Sequence, residues 1–315
     1  ALVELGASLS EQANYVDARS RIEEGLAILL KSCGGEHRDV ARARLILGEL
    51  FIHVREDTLA LDELTECVAV LENTHGKDHV RVCRAEGVLS RALSNLCQFP
   101  EATRRLEHAD SSFVLFMRKG DGNGTTYDVS TNLAHVSIVV DFACLYFERA
   151  LYDECHELLM RAMPISRVLV GKEHPLTQRI LQMMGRLHAT LADFQQSHDA
   201  FETSRILARN IYGEGHPNVF RAALCDCKVY LLQADYFQTD LRIAELRSFE
   251  PLPSPVDAAN LRSLDGEYQL CLGRHKRASD LLMSSLSLLN ARYRPSPAPI
   301  VPISPPRGVE SHLLC

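Results

Sequence analysis

Four histidines stand in one recurring phrase: Gly34-Gly-Glu-His37, Gly76-Lys-Asp-His79, Gly171-Lys-Glu-His174-Pro175 and Gly213-Glu-Gly-His216-Pro217. Imidazole binds metals and carries protons, so a repeated His is the first place to look for chemistry. The spacing argues against a shared ion. His37 to His79 is 42 residues, His79 to His174 is 95, and His174 to His216 is 42 again. Equivalent side chains in stacked repeats lie a whole layer apart, far beyond the roughly 2.0–2.1 Å of a Zn–N bond. These histidines are read as connector residues. Cys225-Asp-Cys227 has one residue between its thiols and no second pair at ligand spacing, so no zinc is expected there. Asp121-Gly-Asn-Gly-Thr-Thr-Tyr-Asp128 alternates oxygen ligands like a calcium loop, but Thr126 stands where Gly is required and Asn132 where a bidentate Glu is required. A flexible insertion over 120–127 is expected instead.

Catalytic signatures are absent from the sequence: no Gly-x-Ser-x-Gly, no phosphate-binding Walker loop and no His-Glu-x-x-His. The chain is therefore expected not to be an enzyme, and to need no cofactor and no metal. Its ten cysteines are scattered among apolar neighbours and read as small buried side chains in a reducing compartment. Hydrophobic residues are 46% and charged residues 24%, the balance of a folded chain. With no Trp and only 6% aromatics, the core must rest on Leu, Ala, Val and Ile, which suits helices. A net charge of −7 gives no bulk attraction to nucleic acid or an anionic membrane. The longest apolar run, 136–147, is broken by Asp141 and falls short of the ~20 residues a membrane helix needs. A cytoplasmic location is expected. The sequence begins at Ala1 inside an apolar-periodic segment and reads as a fragment or processed chain.

Two columns of small residues set the register of the elements. The first is Gly6, Gly48, Ser90, Ala143, Gly185, Cys227 and Gly266. The second, twelve residues on, is Ala18, Ala60, Ala102, Cys155, Ser197, Thr239 and Ala278. Both step by 42, 42, 53, 42, 42 and 39, the extra 11 falling in the polar stretch before Asp128. Small side chains let two helices approach within the roughly 8–10 Å of packed axes. Each unit thus reads as helix, short turn, helix; in the second unit the helices cover about 39–54 and 58–74. The connector Gly suits the left-handed residue that ends a helix, and Pro175 and Pro217 suit the first turn of the next. The expected fold is all-α: a right-handed superhelical solenoid of about seven helix pairs over 1–294. Its units run about 1–34, 37–76, 79–120, 127–171, 174–213, 216–250 and 256–294. Six of the thirteen prolines crowd the segment after Tyr293, so 295–315 is expected to be a disordered Pro-rich tail. Within it, 302–307 has the Pro-x-x-Pro-x-Arg form read by some SH3 domains, and Ser296 and Ser304 precede Pro.

Small residues twelve apart, with an aromatic or Leu three after the first, resemble the tetratricopeptide repeat. The 42-residue period with its Gly-x-x-His-Pro connector resembles the kinesin light chain subclass over about 1–294. The resemblance implies a protein-binding scaffold, with a cytoskeletal or motor assembly as one setting. A sensor arm of a larger ATPase-type protein is another. The subclass places Asn two residues before the first small residue; here those positions hold Ile46, Val88, Asp141, Met183, Cys225 and Leu264, so that peptide-clamping ladder is missing.

A second periodic feature points to the partner. Positions six before and one after the first small residue lie two helical turns apart and share a face. Across units two to seven they hold Arg42 and Glu49, Arg84 and Arg91, Ser137 and Cys144, Arg179 and Arg186, Arg221 and Lys228, Asn260 and Glu267. Seven are basic and two acidic, a balance of +5. A basic groove for an acidic protein or peptide segment is expected, since Arg pairs with carboxylates in a fork. Phe147, Leu224 and Leu231 are expected to supply apolar pockets between the charges.

Overall fold

The computed structural model describes residues 1–119, 132–249, 252 and 254–293. Among them run fourteen helices and no strand. The first helices of the pairs are α1 (Leu2–Glu11), α3 (Arg38–His53), α5 (Val80–Asn95), α7 (Leu133–Glu148), α9 (Pro175–Thr190), α11 (Pro217–Leu232) and α13 (Pro255–Cys271). The second helices are α2 (Tyr15–Cys33), α4 (Asp57–His75), α6 (Phe99–Lys119), α8 (Tyr152–Val170), α10 (Phe194–Tyr212), α12 (Tyr236–Arg247) and α14 (His275–Tyr293). The expected 120–127 insertion and the 295–315 tail, with Ser296, Ser304 and the 302–307 motif, lie outside the described residues.

Both small-residue columns lie at the helix–helix contact inside each pair. Ala18, Ala60, Ala102, Cys155, Ser197, Thr239 and Ala278 are fully buried. A Cβ built on Gly48 would sit 2.5 Å from Leu64, and one on Gly185 would sit 2.8 Å from the Phe201 ring. No side chain fits there. Ser197 Oγ donates to the Gly185 carbonyl at 2.8 Å, tying the two columns directly. A third column, sixteen residues after the first, fills the space opposite: Ile22, Leu64, Leu106, Leu159, Phe201, Ile243 and Leu282.

The turns repeat as faithfully. Ala13, Arg55, Cys97, Ala150, Ala192, Ala234 and Gly273 each adopt a φ near +60° to +71° between the two helices of their pair. The next amide closes onto a carbonyl five residues back, as in Glu56 N to Phe51 O at 2.7 Å and Asp193 N to His188 O at 2.9 Å. Six of these seven are not glycine, and the orphan carbonyls they help satisfy offset the strain. Between pairs, Gly34, Gly76, Gly171 and Gly213 take φ of 80° to 90°, as the connector phrase requires. The connector histidines have a more definite role than packing. Nδ1 of His37, His79, His174 and His216 accepts the amide of the residue two further on, at 3.1–3.2 Å, capping α3, α5, α9 and α11. Asn132 and Ser254 do the same for α7 and α13. These caps satisfy one of the free amides at each helix start.

Each first helix also touches the first helix of the next pair, from α1–α3 through to α11–α13, while the second helices meet mainly their neighbours in sequence. The inner layer of the curve is therefore built of first helices, and they present the concave face. Curvature accumulates until the first unit reaches the sixth and seventh. His216 Nε2 meets the Glu11 carbonyl at 3.1 Å, across 205 residues. Tyr15 lies near Arg221, and burial pushes the Tyr15 pKa up. Tyr212 stacks on His216 with ring centroids 4.1 Å apart. The concave face thus forms a hollow whose first and sixth units touch at a seam, where Glu11 meets His216.

Candidate functional site

The two predicted columns do land on this inner layer, but carboxylates from outside the columns come to face them. Arg42 pairs with Glu4 at 2.9 Å, and Arg84 faces Glu49 at 3.9 Å. Arg186 pairs with Glu148 at 2.9 Å and lies over the Phe147 ring, 4.5 Å from its centroid. Arg221 forks onto Asp257 at 2.9 and 3.1 Å. Arg179 donates to Asp141 and contacts Cys144 Sγ at 3.6 Å. Arg91 lies 3.9 Å from the same Asp141. Lys228 is exposed and forms no ion pair among the described residues. Leu224 and Leu231 are half-buried against the core of the last units. The expected excess of +5 is therefore reduced, because Glu4, Asp141, Glu148 and Asp257 belong to neither column.

These pairs are not equivalent. Arg42–Glu4 and Arg186–Glu148 are open to water and contribute little, about 0–1 kcal/mol each. Asp141 and Asp257 are buried to within 5% and 2% exposure, so their guanidiniums are needed to compensate them. For Arg221, burial works against the charge, but the hydrogen bond and charge of Asp257 outweigh it and raise the pKa. For Arg179, burial is likewise outweighed by Asp141, and the pKa rises. Arg91 goes the other way. Burial and then the Arg179 guanidinium depress its pKa, and Asp141 and Glu49 do not restore it.

His53, at the end of α3, reports the field inside the hollow. His53 is exposed to solvent, yet its pKa is lowered, first by partial desolvation among the inner helices and then by Arg91, Arg221, Arg179 and His216. Those cations come from α5, α9 and α11 and from the connector into α11. Cations distant in sequence thus act on one position of the inner layer, while the chain as a whole is acidic.

Other constellations prove to be structural. Cys227 is buried with its thiol 3.7 Å from the Thr239 carbonyl, and burial raises its pKa to about 12. Cys225 is half-buried, its thiol also raised by burial. Of the nine described cysteines, Cys67, Cys83, Cys155 and Cys227 are buried, whereas Cys33, Cys97 and Cys271 are exposed, against the expectation that all pack inside. No group of three or more His, Cys, Asp or Glu among the described residues could hold a metal ion. One arrangement escaped the sequence reading. Glu86 accepts from His108 Nδ1 at 2.6 Å, and His108 Nε2 lies 3.4 Å from Ser112 Oγ. The order resembles nucleophile, base and orienting acid. However, Ser112 is buried and donates instead to Asp78 at 2.9 Å, so its proton is not presented to the imidazole. The cluster compensates buried Glu86, with Arg105 as a further partner. Its i, i+4 spacing on α6 was visible; the Glu from α5 was not. No described helix is long and apolar enough to cross a membrane.

No protein-family model matches the chain, and no curated protein matches it by sequence. Solved structures do match in fold. A Rap protein complexed with competence and sporulation factor is 12% identical, with 92% of this chain and 74% of that chain covered and a TM-score of 0.68. The Rap conjugation gene regulator of plasmid pLS20, in complex with the Phr* peptide, is 13% identical, with 91% and 72% covered and a TM-score of 0.64. A tetratricopeptide repeat protein from Parabacteroides merdae is 14% identical, with 91% of each chain covered and a TM-score of 0.51. The chain has the fold of a tetratricopeptide-type solenoid.

Proposed function

We propose that this protein is a non-enzymatic scaffold whose concave hollow holds an extended segment of a protein partner, acidic at the positions that face the inner helices. The observation that carries the reading is the placing of Arg91, Arg179, Arg186 and Arg221 on the first helices of the third, fifth and sixth units, close enough together for Arg91, Arg179 and Arg221 all to act on His53. That field would draw in and orient a negatively charged segment. Phe147, Leu224 and Leu231 offer apolar contacts beside it, and Lys228 offers a free ammonium. The peptide-bound Rap regulator supports the same use of a solenoid of this shape.

The test is binding to acidic and neutral peptide libraries at two salt concentrations. The concave variant is Lys228→Glu with Phe147→Ala; the control is Val168→Glu on the outer helix α8, where Val168 is 85% exposed. The concave variant should lose acidic peptides, and wild-type affinity should fall with salt. Equal binding by wild type and both variants would remove the reading. Arg179 and Arg186 are poorer probes, because each compensates a carboxylate of α7.

A further inference from the structure

Arg91 is the anomaly of the inner layer. Its side chain is 24% exposed, and its Nε is buried with no hydrogen-bond partner among the described residues. None of its other nitrogens donates a hydrogen bond there either. The one carboxylate in reach, Asp141, is 3.9 Å away and already engaged by Arg179. Two further arginines have a buried, unpartnered Nε, but Arg44 holds Glu63 and Glu66 at 2.6 Å, and Arg209 lies 2.8 Å from Glu214. Arg42 and Arg84 also lack hydrogen bonds to protein, but both are more than 60% exposed and water serves them. A buried Nε–H with no acceptor is costly, while the Nη groups of the same guanidinium still reach water. Its surroundings do not relieve it: Arg179 repels it, Glu49 is shared with Arg84, and His53 is held neutral at physiological pH. Arg91, Arg179 and Asp141 together leave one uncompensated positive charge at the middle of the array.

We propose that Arg91, backed by Arg179, is a site for a single oxyanion at the centre of the hollow. The proposal rests on the reading that the concave face binds a segment, and it sharpens that reading. Of the other arginines of the columns, Arg42, Arg179, Arg186 and Arg221 meet carboxylates of this chain within 2.9 Å and Arg84 stands in water, so a partner needs one acidic group placed here, not an acidic run. The oxyanion is a carboxylate of the bound segment or a free phosphate; both accept in a fork from the two Nη groups of one guanidinium, the atoms of Arg91 that remain open to water.

The experiment compares wild type, Arg91→Gln and Arg84→Gln with three probes: a blocked peptide with one central Glu, its Gln counterpart, and inorganic phosphate. Affinity is read by calorimetry, thermal stability by melting without probe, and His53 by its proton NMR titration. In wild type the anionic probe should bind and raise the His53 pKa, since it offsets the cations that depress it. Arg91→Gln should lose about tenfold or more in affinity, roughly the worth of one charge-assisted pair. It should melt close to wild type, because no hydrogen bond among the described residues is removed and only the 3.9 Å contact with Asp141 is lost. Arg84→Gln should bind as wild type does. Preference for the Glu over the Gln peptide assigns the carboxylate; binding of phosphate alone assigns the free anion. Unchanged affinity in Arg91→Gln, or an equal loss in Arg84→Gln, overturns the site. Peptide binding that survives in Arg91→Gln but fails in the Lys228→Glu, Phe147→Ala variant would sink this site alone and leave the concave-face reading standing.

Discussion

Ala18, Ala60 and Ala102 meet the same surroundings in three successive units: no exposure, and a first helix packed against them. Arg84, Arg91, Arg179 and Arg186 also recur in register, yet no two have the same surroundings. Arg84 is mostly in water, Arg91 has no acceptor, Arg179 is bound to a buried carboxylate, and Arg186 lies on an aromatic ring. Contacts inside a helix pair are set by fixed sequence offsets of 12 and 16, which every unit keeps. Contacts across the concave face join different units, and the residues that meet there are set by each neighbour's sequence and by curvature. Within the pairs the repeats are interchangeable; across the face they are individual, and recognition belongs to the individual part.

The comparison breaks most visibly at Asp141. Asp141→Ala should leave Arg179 buried without its partner and cost toward the lower end of about 3–5 kcal/mol, given that Arg179 keeps some solvent. Urea unfolding measures it; a cost below that of an exposed pair would mean the inner-layer charges are not coupled. Inside a pair, Ala102→Leu should overpack α5 against α6 and cost about 1–3 kcal/mol, seen as a lower melting temperature. An unchanged melt would show that the columns are looser than their burial implies.

Acid should act on both regions through histidine. The pKa values of His79, His174 and His216 are lowered by burial, and that of His53 falls to about 4. Their unfolded value is about 6.5. As pH falls below that, the unfolded chain takes up protons before the folded one. The stability these groups support is complete above about 6.5 and declines as pH falls toward the folded values. Melting temperature should therefore drop between pH 7 and pH 5, and His174→Asn, which keeps a capping acceptor, should reduce the drop. The smallest effect is expected at the seam. Tyr15→Phe removes a hydroxyl near Arg221, worth at most about 1.5 kcal/mol. It should speed amide exchange over 11–16 and 212–221 while barely moving the global melt. Unchanged exchange would mean the first and sixth units touch without holding each other.

The helix pairs, their turns and their register were all legible in the chain. The small-residue columns and the connector phrase repeat at a period no random sequence keeps; the columns encode contacts between residues twelve to sixteen apart, and the phrase encodes a local turn and cap. The arginine face was legible as a face. Its ion pairs were not: three share an offset of 38 (Arg42–Glu4, Arg179–Asp141 and Arg186–Glu148), but Arg221 turns instead to Asp257, 36 residues on, and Arg91 faces Asp141 across 50, so no single step assigns the partners. The capping role of the connector histidines was also hidden, since it depends on which ring nitrogen turns toward the amide. The closure of the array had no local signal at all. A small rotation per repeat, too slight to mark any one residue, accumulates over five units until Glu11 meets His216. The sequence by itself determined the unit and the number of units, because those contacts are short-range and repeated. Only the tertiary structure decided that the first unit meets the sixth and that Arg91 has no hydrogen-bond acceptor among the described residues, because both follow from summed geometry between units.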